Sequence, residues 1–146
     1  MHSFGCAFFV FRGKENMACF LIDYENQSGE ALENISLLKF KKSDEIIFFY
    51  SRNSNQMTVR LHIELEEIAA KKTYVFTESI KPNSMDFQLV SYLGARISNN
   101  PKLKYYIVSK DRGYDSVCCF WNNKNIFVKR IDRIFHCGDI LDTHCN

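Results

Sequence analysis

Three aspartates stand just past hydrophobic, strand-like runs, and their chemistry is the clearest signal in the chain. Cys19-Phe20-Leu21-Ile22 precedes Asp23, and Tyr105-Tyr106-Ile107-Val108 precedes Ser109-Lys110-Asp111. Tyr74-Val75-Phe76 leads into the loop before Asp86. In open α/β sheets, sites form outside the carboxyl ends of the strands. Carboxylates gathered there repel one another unless a hard cation lies among them. Magnesium suits such a pocket, because it prefers carboxylate and water oxygens and keeps a substrate phosphate as a further ligand. The pattern points to metal-dependent phosphodiester chemistry.

The elements that must position these side chains follow from periodicity. Strand patterns fall at Ala18–Asp23, Glu45–Ser51, Thr73–Thr77, Lys104–Ser109 and Asn125–Ile131. Between them, Ser28-Gly29 opens a helical pattern with Leu32, Ile35 and Leu38 on one face. Gln56 to Ala70 places Met57, Leu61, Leu65 and Ile68 at helical spacing, an amphipathic stripe expected to be core. Ser84 reads as the N-cap of a helix through Ile97, and Asp115 to Trp121 as a short helix. Such alternation predicts a three-layer α/β/α fold with a central, mostly parallel five-stranded sheet and right-handed crossovers. One domain is expected over residues 17–135, with 1–16 an extension or an edge strand and 136–146 a tail. Met17 opens the pattern cleanly, so the expected start of the domain is there.

Three blocks then resemble the signatures of PIN-like/NYN-type ribonuclease domains. They are Ile22-Asp23-Tyr24-Glu25-Asn26, Ser84-Met85-Asp86-Phe87-Gln88-Leu89, and Val108-Ser109-Lys110-Asp111-Arg112-Gly113-Tyr114-Asp115. The resemblance covers Met17 to Asp132. It implies that Asp23, Asp86, Asp111 and Asp115 are the acidic set, with Asn26 and Ser109 as polar companions. It further implies one or two Mg2+ or Mn2+ ions and cleavage of single-stranded or structured RNA. Many relatives of this fold pair as dimers, which the resemblance permits, and a free nuclease would want a regulatory protein partner.

Each residue also has a plainer role. Asp86 would lie in the first turn of its helix, where the dipole and unpaired N–H groups favour an anion. Asp115 is a good N-cap, Asn26 can satisfy a turn, and Glu25 reads as surface. Asp111 and Asp115 converge only through a sharp turn, which Gly113 permits. Tyr24 could stack on a base or pack on a helix. Arg52, Asn53, Asn55, Lys81, Asn83, Lys110 and Arg112 sit at the same expected edge and suit phosphate contacts or solvated loops. An RNA-binding or interaction module on the same fold, cleaving weakly or not at all, is the alternative reading. A receiver would need Asp where Glu78-Ser79 end the third strand, and an aspartyl phosphatase would need Asp-x-Asp where Asp23-Tyr24-Glu25 stands.

Composition bounds these readings. A net charge of +2 gives no global field for nucleic acid. Basic clusters are local: Lys39, Lys41 and Lys42; Lys102 and Lys104; Lys129, Arg130 and Arg133. Six cysteines without a secretory signal suggest reduced thiols in a cytoplasm, with Cys19 and Cys118 in the core. No run reaches the ~18 apolar residues needed to span a bilayer, so no membrane is expected. His136-Cys137 and His144-Cys145 lack the spacing of a zinc site.

Overall fold

The structure is a computed structural model and describes residues 17–27, 30–78 and 81–134. Five strands form one sheet: β1 Ala18–Asp23, β2 Glu45–Tyr50, β3 Lys71–Phe76, β4 Lys104–Val108 and β5 Val128–Ile131. All are parallel, in the order β3-β2-β1-β4-β5. Three helices cover it, α1 Val59–Glu67, α2 Ser84–Asn99 and α3 Tyr114–Asn122. This is the expected three-layer α/β/α arrangement.

β1 lies at the centre of the sheet, and all six of its residues are buried. Strand side chains alternate between faces. Ala18, Phe20 and Ile22 therefore enter one core layer with Leu65 and Ile35. Cys19 and Leu21 enter the other, beneath α2 and α3. The same alternation sends Asp23 toward α2 and α3 and Tyr24 to the opposite face. Register levels the strand ends, because Asp23 lies beside Phe49 and Ile22 beside Val108.

α2 docks through Met85, Leu89, Leu93 and Ile97, spaced every four residues and all at most 3% exposed. Burial of such side chains is worth about 1.5–3 kcal/mol each, so the helix that carries Asp86 is firmly seated. α1 is capped by Thr58, whose side chain accepts the Leu61 N–H at 3.1 Å. Beneath α2, Glu45 pairs with Arg96 and accepts the Thr73 hydroxyl. Burial, aided by Glu45, pushes the neighbouring Cys19 thiol up to about 12, and the group is inert in this core.

Four local expectations are corrected. Leu32, Ile35 and Leu38 belong to turns and a single 3-10 turn, Ile35–Leu37, and not to an α-helix. Asn34 adopts φ 55°, a left-handed conformation that stops helical propagation. Ser28 and Gly29 lie outside the described residues. The N-cap of α2 is Asn83 at φ 67°, and the Ser84 hydroxyl instead donates to the Lys81 carbonyl at 2.7 Å. Asp115 is the second residue of α3 and not its cap. The fifth strand begins at Val128, because Asn125 at φ 61° closes a turn after α3. Residues 1–16 and the His-Cys pairs after 135 also lie outside the described residues.

Candidate functional site

Asp23 ends β1 and is fully buried. Its Oδ1 accepts the Asn26 backbone N–H at 3.2 Å, and its Oδ2 accepts the Asn26 side-chain amide at 3.3 Å and the Ser109 hydroxyl at 3.0 Å. Ser109 in turn accepts the Asp111 N–H at 3.0 Å, and Lys110 donates its N–H to the Asn26 carbonyl at 2.8 Å. The loops after β1 and β4 are thus tied together at the carboxyl edge of the sheet.

Tyr114, at the start of α3, joins the third element. Its hydroxyl lies 2.9 Å from Asp86 Oδ1 and 3.2 Å from Asp23 Oδ2. A hydroxyl has one proton to give. That one proton serves two carboxylate oxygens, so the hydroxyl stands between groups that otherwise repel. Burial holds Asp86 above its ordinary value. The Tyr114 hydrogen bond offsets part of that rise, while Asp23 and Asp111 add to it by like charge. Burial and the two carboxylates hold the Tyr114 hydroxyl protonated far above its usual range.

Asp23, Asp86 and Asp111 therefore interact as one acidic group, drawn from the end of β1, the first turn of α2 and the loop after β4. Asp111 is locked by the Gly113 N–H, which donates to its Oδ1 at 2.9 Å. Gly113 has an ordinary right-handed backbone, φ −56°. Its value is spatial, because a Cβ there would stand 3.1 Å from Asp111 Oδ1. Asp115 is not gathered in. It is exposed and accepts from Arg130 Nε at 2.7 Å, while Arg130 also binds Asp132 and the Ser109 carbonyl.

The companions are distributed unevenly. Asn26, Ser109, Lys110 and Arg112 flank the acidic group in the chain, and Lys110 and Arg112 are exposed. Arg52 and Asn53 are exposed in the loop after β2, and Lys81 in the loop before α2. Glu25 accepts the Ser51 hydroxyl at 3.1 Å, which anchors the first loop to the second. Tyr24 packs on the α1 layer and donates to the Gln56 carbonyl at 2.8 Å.

Tyr114 was the residue that sequence reasoning missed. The available signal was a tyrosine, and not phenylalanine, at a core-facing helix position between two site acids, since a buried tyrosine hydroxyl needs a partner.

The donor set is all oxygen and anionic, which is the chemistry of a hard divalent cation. Among the described residues, no three His, Cys, Asp or Glu side chains already form a metal cage. The Tyr114 hydroxyl stands where Asp23 and Asp86 approach one another. Removing it with Tyr114→Phe leaves two carboxylates to repel directly. About 1.5–3 kcal/mol of stability is expected to go in EDTA, and clearly less with saturating Mg2+. Urea unfolding in both conditions measures this. Equal losses would mean that the hydroxyl merely fills the core.

Asp86→Asn tests the same electrostatics through pH. The folded state holds the Asp86 proton more tightly than the unfolded chain does, so ionised Asp86 costs stability at neutral pH. That cost fades as pH falls through the raised value and vanishes below 3.8, the ordinary one. Asp86→Asn is therefore expected to raise the metal-free melting temperature by a few degrees at neutral pH, and by nothing in acid. A uniform shift at every pH would contradict the repulsion.

Comparison with known proteins adds one finding. The family model described as PIN domain matches residues 17–131. No curated protein and no solved structure matches.

Proposed function

The chain belongs to the PIN domain family, and from that premise we propose that it is a metal-dependent endoribonuclease. PIN domains are generally nucleases that bind RNA, and the sheet here has the corresponding nuclease-type fold. The observation that carries the finer reading is the convergence of the Asp23 and Asp86 carboxylates on the Tyr114 hydroxyl at the carboxyl edge of the sheet, with Asp111 close enough to act on Asp86 by like charge.

In this reading Asp23, Asp86 and Asp111 hold Mg2+ or Mn2+, and Asp115 with Arg130 forms the outer rim of the site. A bound ion there supplies charge neutralisation at a phosphoryl oxygen and lowers the pKa of its water. Asn26 and Ser109 fix the orientation of the Asp23 carboxylate by the bonds they give it. The Tyr114 hydroxyl sets the spacing of Asp23 and Asp86. Lys110 and Arg112, together with Arg52, Asn53 and Lys81, contact backbone phosphates and set the register of the strand. Attack is in line, without a covalent enzyme intermediate.

One observation favours a second reading, a binding module that cleaves weakly or not at all: the acids form no closed cage among the described residues. The deciding experiment is cleavage of a mixed-sequence, end-labelled RNA with Mg2+, Mn2+ or EDTA. Metal-dependent fragments that Asp111→Asn loses would support the nuclease. Folded protein that binds metal and RNA and yields no fragments would support the module. No helix among the described residues is long and apolar enough to cross a membrane. We place the protein in the cytoplasm, a compartment that keeps thiols such as the buried Cys19 reduced.

A further inference from the structure

On the face of the sheet opposite Asp86, a cavity of about 420 Å³ opens between α1 and the β2–β3 edge. Its walls are aromatic and polar: Tyr24, Phe48 and Tyr74, with Asn55, His62 and Glu66. Phe48 is buried and stacks on Tyr74 with ring centres 5.2 Å apart and planes 14° apart. Tyr74 is nonetheless 51% exposed, so it is a ring braced from below and open above. Tyr24 meets Phe48 edge-on at 6.1 Å and is pinned by its bond to the Gln56 carbonyl. The rings are preorganised by packing.

Charge decides what such a cavity can take. Among the described residues no Lys or Arg lines it, so it offers a phosphate no cation. Flat open rings with amide, imidazole and carboxylate groups at the margin suit a planar heterocycle with donors and acceptors on its edge. Position decides where that heterocycle comes from. Tyr24 follows Asp23 directly in the chain, and the two side chains leave opposite faces of one strand end. A single strand crossing the carboxyl edge of the sheet can lay a phosphate at the acids and a base further along against Tyr74, which lies two strands from β1.

We propose that this cavity is a nucleobase subsite for an unpaired base of the bound strand. The inference rests on RNA being the substrate, and binding without cleavage separates the two.

The test uses a short single-stranded RNA carrying one 2-aminopurine, whose fluorescence is quenched on stacking, mixed with the full chain in EDTA. Quenching is expected with the unaltered protein and with Asp111→Asn. Tyr74→Ala should weaken binding by roughly tenfold and abolish the quench, and Tyr74→Phe should restore both. Tyr74 is exposed, so the alanine variant should fold, and its melting temperature checks this. Cleavage with full quenching of Tyr74→Ala would overturn the subsite and leave the nuclease standing. Tyr74-dependent quenching without any cleavage would keep the subsite and remove the nuclease. Absence of quenching in the unaltered protein would overturn it, as would a dimer in solution that Tyr74→Ala dissociates, since a second copy would then cover the ring.

Discussion

Asp23→Asn is expected to slow metal-dependent RNA cleavage by at least about a thousandfold while the chain stays folded. Loss of a single preorganised electrostatic contact costs about a hundred- to a thousandfold in other enzymes, and Asp23 contributes a full charge from a buried position. The fold should tolerate the change. The amide oxygen can keep the Asn26 N–H, and the new NH2 can face the Ser109 and Tyr114 oxygens, whose hydroxyls can turn to accept, once the Asn26 side-chain amide flips to present its oxygen. Melting in EDTA should therefore hold or rise, because one repelling charge is gone. End-labelled RNA with Mg2+ and a thermal melt measure both halves. Cleavage within tenfold of the unaltered rate would remove Asp23 from the centre of the mechanism.

Leu89→Ala is expected to cost about 2–5 kcal/mol of stability, and to cost activity through Asp86. Leu89 is fully buried and lies one turn beyond Asp86 on α2. Deleting its side chain leaves a cavity between the helix and the sheet, and close-packed interiors relax into such gaps only partly. Asp86 is presented by that helix, so a looser seat weakens metal binding before the chain unfolds. Urea unfolding should show the loss, whereas Leu37→Ala, at a site 76% exposed, should be nearly silent. A change below about 1 kcal/mol at Leu89 would mean that α2 is not held by its apolar stripe.

The central strands were legible because they are simple. Cys19 to Ile22 is continuously apolar since both faces of β1 are covered, and Asp23 marks where the sheet meets solvent. Between 30 and 40 the apolar spacing was real, and Leu32 and Ile35 are buried as expected. Periodicity cannot register a left-handed residue such as Asn34, so turns passed for a helix. Asp115 reads with the acids through the resemblance of the block after the fourth strand, and sequence gives no sign of its ion pair. Its partner Arg130 is 15 residues away on β5, and that pairing is tertiary. The Tyr74 platform was invisible for the same reason, since a strand residue reads alike whether its ring is covered or open.

The strand order carries a consequence for the cell that makes this protein. Ser109 and Tyr114 reach Asp23 across sequence separations of 86 and 91 residues. Contacts of such high contact order close late in folding. A nascent chain that has exposed only β1 to α2 holds two of the three carboxylates and lacks Ser109 and Tyr114, which bond them. On the proposed function, the ribosome assembling this enzyme is spared by topology: the site cannot be armed until nearly the whole sheet has left the exit tunnel.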